Sequence, residues 1–479
     1  LAQRAHRLVE QRPPAVPDKV LPLDERPGSS AFRPRRRLDT AEKLARELDR
    51  RRRSMAKYLR NRAPELAVPR RVTPVTEFDW RVETDEDRRD FASHTLSGGG
   101  EWERVQIPHY GPPLGPAVTY YRTTLRVTRS TAKSGSLWVC FDGVDYRAHV
   151  FFNGAYAGSH EGFFAPFECD VTGHARVGEN VLLVKVENDA PTLRDGEKIY
   201  AATGPGYDDP EEGWHHCPPA MGIYQPVRLE ARARRFVRDL AVVPLDLEGN
   251  AEIRVNVVST ESEPAPVAFG ISVFGRNFTA TPIRDLRHEP ATTQIRGHGD
   301  LDQFTDPAVP QPAGRGVNSY RIPIRIRKPR LWDLETPWLY QLQLRLLEGE
   351  TVVDAAECQF GIRTFEQDES SSPRGRFLLN GREIRLRGAN TMGHLQQCVV
   401  RGDDAQLTDD ILLAKIANMN FLRLTQRPVQ RVIYERCDQL GLMTQTDLPL
   451  FGKLRRTQAF EAVRQASEME RLIRPHASA

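Results

Sequence analysis

The segment from Phe377 to Gly452 most constrains the fold, because short apolar strands alternate there with helical stretches. Asn380-Gly381 predicts a tight type I′ hairpin, since both residues tolerate positive φ angles. Further strands are predicted at Phe421-Leu422-Arg423-Leu424 and Leu442-Met443-Thr444-Gln445, each preceded by a helix. Thr408-Asp409-Asp410 is predicted to cap the first of these helices. This alternation predicts parallel strands with the helices outside.

Polar residues stand at or near the carboxyl ends of the predicted strands. They are Asn390, His394, Arg423, Gln426 and Asp447. In a (β/α)₈ barrel the functional groups lie at this edge, so these five residues are predicted to bind substrate. Other interpretations stay open for three of them. A structural ion pair would explain Arg423 equally well, turn formation would explain Asp447, and His394 would cap its loop.

Three motifs in this segment follow one another in a recognisable order. They are Arg387-Gly388-Ala389-Asn390 with His394, Asn420-Phe421-Leu422-Arg423, and the helix from Tyr434 to Leu442. Together they resemble the start of the catalytic barrel of glycoside hydrolase family 2, the family of β-galactosidases, β-glucuronidases and β-mannosidases. The resemblance implies that the segment opens a TIM (β/α)₈ barrel. Gln426 stands where the family usually has a histidine, and Arg427 replaces an aromatic neighbour, which leaves the sugar preference open.

Antiparallel β structure is predicted upstream, from about Arg71 to Thr364, because apolar residues alternate with polar ones between closely spaced turns. The stretch from Val181 to Val186 is predicted to be a buried strand. Two groups of motifs resemble the sugar-binding jelly roll of the same family and its second, immunoglobulin-like domain. They are Phe152-Asn153-Gly154, His160-Glu161-Gly162-Phe163 and Gly222-Ile223-Tyr224, and then Pro337-Trp338-Leu339-Tyr340 and Phe360-Gly361-Ile362-Arg363.

The predicted fold class is therefore multidomain β plus α/β. A jelly-roll β-sandwich is followed by an immunoglobulin-like β-sandwich and then by the first part of a TIM (β/α)₈ barrel. The predicted domains are a Pro-rich and basic helical extension at 1–70, the jelly roll at 71–234, the immunoglobulin-like domain at 235–364 and the incomplete barrel at 365–479.

The ordered part of the extension is predicted to be a helix from Asp39 to Arg62. Its apolar stripe consists of Leu44, Leu48, Met55 and Leu59, and Arg50-Arg51-Arg52-Arg53 makes the rest of its surface basic. A contact with nucleic acid or an acidic membrane is one interpretation. The favoured one is a solvated face whose stripe packs on the protein, because no basic fold motif or interleaved aromatic residue accompanies it.

Composition excludes several classes of protein. The chain is 39% hydrophobic and 28% charged, with a net charge of +4, which predicts neither nucleic acid nor a membrane as a partner. The cysteines show no metal-ligand or disulfide-framework spacing, so most are expected to be buried free thiols. They are Cys140, Cys169, Cys217, Cys358, Cys398 and Cys437. The thiols favour a cytoplasmic location weakly, but both ends are expected to be truncated, so a signal peptide and the localisation stay open.

The insertion between Asn188 and Cys217 is dense in carboxylates. They are Asp195, Asp208, Asp209, Glu211 and Glu212. Hard cations prefer several oxygen ligands, so Ca²⁺ or another divalent cation is one interpretation, but the spacing fits no standard loop and a solvated turn is favoured. His109, His215 and His216 are expected to be structural, since no third metal ligand is evident. No cofactor is expected to be required.

The resemblance implies hydrolysis of terminal β-linked sugars with retention, as in β-galactosidases. That chemistry needs two carboxyl groups roughly 5 Å apart, a nucleophile and an acid/base. In this family both are glutamates at the ends of strands four and seven, so both are expected beyond Ala479, and this chain alone is expected to be inactive. The alternative is a non-catalytic carbohydrate-binding or scaffold protein derived from the family. A carbohydrate is the expected partner, and homo-oligomerisation stays open.

Overall fold

The computed structural model describes residues 38–113, 117–162, 164–188, 193–194, 197–198, 221–290, 294–295, 315–370, 375–391, 393–425, 428–448 and 459–477. The chain divides into two compact units, residues 1–50 and 51–479. Helix α1 (Ala41–Leu59) crosses the boundary between the two units. None of the helices in the described ranges is both long and apolar enough to cross a membrane.

The second half of α1 is held by apolar contacts and by ion pairs. Met55 and Tyr58 are buried, and the Tyr58 ring meets the edge of Trp338 at 5.0 Å. Two residues of the basic run pair with acidic side chains, Arg51 with Glu335 at 3.2 Å and Arg52 with Asp409. This region therefore supports the structural interpretation of the basic run. Of the predicted apolar stripe, Met55 is buried, whereas 37% of Leu44 is exposed.

The first β-sandwich follows. Its strands are β1 (Arg71–Val75), β2 (Glu77–Val82), β3 (Glu103–Gln106), β4 (Ala117–Val127), β5 (Ser136–Phe141), β6 (Arg147–Phe152), β7 (Ala155–Glu161), β8 (Phe167–Asp170), β9 (Gly178–Asn188), β10 (Leu193–Arg194), β11 (Glu197–Lys198) and β12 (Val227–Arg232). Short helices α2 (Asp85–Arg89) and α3 (Arg129–Ala132) and a π turn (Phe91–Thr95) lie between them. The sheet orders are β1-β12-β5-β8 and β3-β2-β4-β9-β6-β7, with β10 and β11 as a separate pair.

The two larger sheets of this sandwich share one core. Strand β9 contributes Leu182, Val184 and Val186, and β5 from the opposite sheet contributes Val139 and Phe141. The predicted buried strand is thus confirmed. The hairpin between β6 and β7 turns at Asn153-Gly154, where both φ angles are positive, 51° and 82°.

A second β-sandwich has the same plan with fewer strands. They are β13 (Arg235–Pro244), β14 (Asn250–Ser259), β15 (Ala268–Gly275), β16 (Ile283–His288), β17 (Gln294–Ile295), β18 (Gly316–Arg325), β19 (Tyr340–Glu348) and β20 (Thr351–Phe360). The sheets β13-β14-β18-β17 and β16-β15-β19-β20 are antiparallel and enclose a common apolar core. Ile253, Val255 and Val257 of β14 point into it, since each is at most 1% exposed while their neighbours are partly exposed.

The remaining segment changes from antiparallel to parallel pairing. Strands β21 (Phe365–Asp368), β22 (Arg376–Leu379) and β23 (Arg382–Ile384) form an antiparallel sheet. The elements after it are β24 (Gly388–Thr391), α4 (His394–Val400), α5 (Asp404–Ile416), β25 (Phe421–Leu424), α6 (Arg431–Leu440), β26 (Met443–Thr446), α7 (Ala459–Ile473) and a 3₁₀ turn (Arg474–His476). Strands β24, β25 and β26 form a three-stranded parallel sheet with helices between them.

Most local predictions for this segment are confirmed, and one is wrong. Asn380 and Gly381 both have positive φ, 52° and 72°, as the predicted hairpin requires. The capping prediction at Thr408-Asp409-Asp410 is wrong, because α5 begins at Asp404 with Asp403 as its N-cap. The Asp403 carboxylate accepts a hydrogen bond from the Gln406 amide at 3.0 Å. Asp403 lies upstream of Thr408, so the helix begins earlier than predicted.

The cysteine prediction is confirmed within the described part of the chain. Five of the six cysteines are free thiols there, and four of these are buried while Cys358 is partly exposed. Cys217 lies outside the described residues, as do Gln426, all five carboxylates of the acidic insertion, His215 and His216. The described residues contain no group of three or more His, Cys, Asp or Glu side chains suited to a metal ion.

Candidate functional site

The carboxyl edge of the parallel sheet brings two of the predicted residues into direct contact. Arg423 lies on β25 and Asp447 directly follows β26. The Arg423 guanidinium donates two hydrogen bonds, Nε to Oδ1 of Asp447 at 3.1 Å and Nη2 to Oδ2 at 2.6 Å. The Asp447 amide also donates to the Leu424 carbonyl at 3.2 Å, which extends the strand pairing by one residue. The backbone thus fixes where the carboxylate stands.

This ion pair has the planar two-point geometry that guanidinium and carboxylate groups favour. The hydrogen bond and the charge of Asp447 raise the pKa of Arg423 above its ordinary value, so the guanidinium stays charged. The two side chains differ in exposure, 42% for Arg423 and 16% for Asp447. One edge of the guanidinium is engaged, and the rest of the side chain stays accessible.

Asn390 lies in line with this pair. The parallel register aligns Asn390 of β24 with Arg423 and then with Gln445 of β26, so all three side chains leave the sheet on the same face. Asn390 is exposed, and the Gln445 amide donates to Oδ1 of Asp447 at 3.4 Å. Gln445 was part of a predicted strand but not of the predicted site. Its position in register with Arg423 adds Gln445 to the candidate site.

His394 occupies a different position from the other candidates. It is the first residue of α4, preceded by Gly393, whose φ of 108° turns the chain into the helix. Gly393 is the N-cap of α4 and makes no side-chain capping bond. The His394 side chain is exposed. The structure therefore places His394 shortly after the end of β24, at the start of α4.

Other motif residues in this segment are structural. Asn420 is buried, and its side chain accepts from the Arg387 amide at 2.8 Å and donates to the Arg385 carbonyl at 2.9 Å. It therefore joins the chain before β24 to the start of β25. The Asp438 carboxylate accepts from Gln359 at 2.8 Å and pairs with the His476 ring at 2.7 Å. Asp438 thus joins α6 to the second sandwich and to the 3₁₀ turn.

His109 also agrees with its predicted structural role. Its Nδ1 lies 2.7 Å from the Tyr121 hydroxyl, and the Trp80 ring packs against it at 5.2 Å. Burial lowers the pKa of His109, so the neutral ring is favoured. A neutral ring that hydrogen-bonds a buried tyrosine needs no metal to explain it.

Comparisons with known proteins agree with this architecture. The model for the glycosyl hydrolase 2 galactose-binding domain-like family matches residues 117–222, in the first sandwich. The model for glycosyl hydrolases family 2 matches residues 235–363, the second sandwich. Both matches support glycoside hydrolase family 2 as the family of this chain. Both matches lie in the antiparallel part.

Individual family 2 relatives extend the similarity. A putative beta-glucuronidase from Formosa agariphila is 25% identical over 362 residues, 73% of this chain and 38% of the relative. A beta-galactosidase from Photobacterium profundum is 26% identical over 347 residues, 71% of this chain and 30% of the relative. The chain thus spans about a third of the length of these curated relatives.

A solved structure supports the fold over more of the chain. Beta-glucuronidase 2 of Bacteroides uniformis, covalently bound to cyclophellitol-6-carboxylate aziridine, superposes with a TM-score of 0.64 at 19% identity. The superposition covers 85% of this chain and 46% of that protein. At this identity the likeness concerns the fold, which is the β-rich fold of family 2.

Proposed function

We propose that this chain is the N-terminal part of a retaining exo-β-glycosidase that resembles the β-galactosidases. The jelly-roll and immunoglobulin-like sandwiches would precede a TIM (β/α)₈ barrel, of which β24, β25 and β26 would be the first three strands. The names of the relatives, β-galactosidase and β-glucuronidase, support a β-glycosidase. The sugar is left to experiment, because Gln426 and Arg427 depart from the family pattern.

One observation carries the proposal, namely the Arg423–Asp447 pair at the carboxyl edge of the parallel sheet. Ligands of barrel enzymes bind at this edge, whereas the opposite edge serves stability. A guanidinium has five N–H donors, and Asp447 engages two of them. With 42% of its side chain exposed, Arg423 can also bind a carboxylate or sugar hydroxyls.

The proposed chemistry requires two carboxyl groups roughly 5 Å apart. One attacks the anomeric carbon and forms a glycosyl-enzyme, and the other protonates the leaving oxygen and then activates water. We place both glutamates on later strands, beyond Ala479. Arg423 would keep the nucleophilic carboxylate ionised, since a nearby cation favours the charged form. Asn390, His394, Gln426 and Asp447 would bind sugar hydroxyls.

The test is an assay of a longer gene product that contains this chain, beside the chain 1–479 itself. Aryl β-galactoside, β-glucuronide, β-mannoside and β-glucoside are offered, and the anomer released is followed by NMR. We expect hydrolysis of one class with retention by the longer product and none by residues 1–479. Activity of residues 1–479 would contradict the placement of the glutamates. Sugar binding without hydrolysis by the longer product would favour the non-catalytic alternative.

Two substitutions test whether Arg423, at the carboxyl edge of the parallel sheet, contributes to the reaction. Arg423→Met in the longer product should lower kcat/KM by about 100-fold or more, because it removes a preorganised charge beside the reaction. Arg376→Met is the matched control, since Arg376 also pairs with an aspartate, Asp368 at 3.1 Å, but stands outside the parallel sheet. Equal effects of the two substitutions would reduce Arg423 to a structural role.

A further inference from the structure

Helix α7 is held from outside its own sheet by side chains of both sandwiches. Glu468 on α7 lies 2.9 Å from Nε2 of His160, which belongs to β7 of the first sandwich. Arg471, one turn later, donates Nε and Nη2 to Oδ1 of Asp239 in the second sandwich, at 3.0 and 2.5 Å. Two successive turns of the helix are therefore fixed to two different domains.

An apolar contact lies between these polar ones. Met469 is 1% exposed and packs in a cluster that includes Tyr146, Phe164 and Tyr224 of the first sandwich. A helix that is held on one side by a buried methionine and on two sides by charged groups has little freedom to shift or rotate. Its position thus depends on residues far from it in sequence.

His160 itself is rigidly placed. It is 6% exposed, and its ring stacks on Phe167 with centroids 4.4 Å apart and planes 5° from parallel. Phe167 stacks in turn on Phe141, at 4.7 Å and 10°. Its Nδ1 makes no hydrogen bond, so the Glu468 contact through Nε2 is the polar interaction that the ring offers. The stacked rings therefore hold His160 with its Nε2 directed toward Glu468 on α7.

We infer that His160 is a positioning residue for the proposed reaction, because its contact with Glu468 fixes α7, the helix that would lead into barrel strand four. The inference rests on the proposed function, in which strand four would carry one of the two catalytic glutamates at its carboxyl end. His160 touches no reacting atom in this scheme. Its effect is geometric, because a displacement of about 1 Å at the chemistry can cost about 100-fold in rate.

Two substitutions of His160 distinguish the loss of the nitrogen that contacts Glu468 from the loss of the imidazole ring. A glutamine at position 160 places its amide nitrogen near the place of Nε2, whereas an asparagine reaches only the place of Nδ1, which has no partner. In the longer product, His160→Asn should lower kcat by about 10- to 100-fold with KM unchanged. His160→Gln should retain most of the wild-type kcat.

His149→Gln is the matched control. His149 lies in the same sandwich, 3.6 Å from Glu187, and pairs with a carboxylate that does not belong to α7. We expect its kcat and KM to equal those of the wild type. Hydrogen exchange of the backbone amides from 466 to 473, measured in each variant, should be faster in His160→Asn and unchanged in the other two.

The outcomes distinguish this inference from the proposed function. A wild-type longer product that hydrolyses no β-glycoside overturns the proposed function, and the role of His160 in the reaction with it. An active wild type overturns the inference alone if His160→Asn keeps its kcat, or if the glutamine and asparagine variants lose kcat equally. A rise in KM at constant kcat would also overturn it, since that result would indicate lost substrate binding.

Discussion

Two buried aspartates occupy opposite electrostatic surroundings in this protein. Asp354 and Asp145 are both fully buried. Asp354, on β20, lies at the junction of the two sandwiches and accepts two hydrogen bonds from the Arg70 guanidinium, at 2.8 and 2.6 Å, and a third from the Val237 amide at 2.7 Å. Asp145 lies at a loop end of the first sandwich, where its carboxyl accepts one bond, from the Tyr110 hydroxyl at 3.1 Å.

The difference separates two uses of a buried carboxyl group. A charge that is paired and fully hydrogen-bonded can be kept in the interior, and at Asp354 it fixes how one sandwich meets the other. Burial raises the pKa of Asp145 well above its ordinary value, and the Tyr110 hydrogen bond opposes this effect only in part. Burial therefore favours the neutral form of the Asp145 carboxyl group. Its backbone is held by Gly222, close to the cluster that receives Met469.

Removing the charge of the paired Asp354 should change the free energy of unfolding more than any other substitution proposed here. Asp354→Asn removes the charge that compensates Arg70, so the free energy of unfolding should fall by about 3 to 5 kcal/mol. Urea unfolding followed by tryptophan fluorescence measures the change. The double variant Arg70→Met/Asp354→Leu should recover part of the loss, because it leaves no unpaired buried charge although the Val237 amide loses its acceptor. A double variant as unstable as the single one would contradict this account of the junction.

Substitution of the unpaired Asp145 should raise the free energy of unfolding instead of lowering it. Because the pKa of Asp145 is raised on folding, the folded state keeps a proton that the unfolded state releases, and stability falls as the pH rises above about 4. Asp145→Asn should therefore stabilise the protein at pH 7, because asparagine carries no proton that the unfolded state would release. The gain should vanish below about pH 4, where both states are protonated.

Asp142→Asn is the control for this experiment. Asp142 lies three residues away and pairs with Arg228 at 2.6 Å. The same substitution there removes a favourable charge and should not stabilise the protein at any pH. Urea titrations between pH 4 and pH 8 would compare the two variants. A stability of Asp145→Asn that changes with pH as the wild type does would show that Asp145 is ionised in the folded state.

The contrast also marks how far the sequence could predict the fold. Local patterns identified the hairpin at Asn380-Gly381, the alternation of apolar and polar residues in the antiparallel region and the βα order after Gly388, since each depends on neighbouring residues. The junctions depend on partners far apart in the chain. Arg70 and Asp354 are 284 residues apart, and His160 and Glu468 are 308 apart. No spacing rule connects such pairs.

At the candidate site too, local patterns could be predicted from the sequence, whereas contacts between distant residues could not. Strand periodicity placed Arg423 and Asp447 at strand ends, and parallel pairing then put them on one edge. A structural ion pair was one of two open interpretations of Arg423, and the structure adds that its partner is Asp447 and that 42% of the arginine side chain is exposed. Asn420 was part of a family motif, but its two bonds to the chain before β24 became visible only in three dimensions.

The smallest effect is expected from a pair that matches Asp354 and Arg70 in chemistry but not in burial. Asp285, also on the second sandwich, pairs with Arg345, and its side chain is 65% exposed. Asp285 has a φ of 47°, which asparagine tolerates, and the Ser272 hydroxyl can still donate to it at 3.2 Å. Asp285→Asn should therefore shift the urea midpoint far less than Asp354→Asn does, because water replaces the lost partner.

Salt distinguishes the two sites further. Raising the ionic strength to about 1 M shortens the screening length to about 3 Å, which weakens interactions between exposed charges and affects buried ones much less. The small difference between wild type and Asp285→Asn should disappear in salt, and the large one for Asp354→Asn should persist. If both differences disappeared together, solvent would reach the Arg70–Asp354 junction. Its charges would then orient the two sandwiches without contributing much to the free energy that holds them folded.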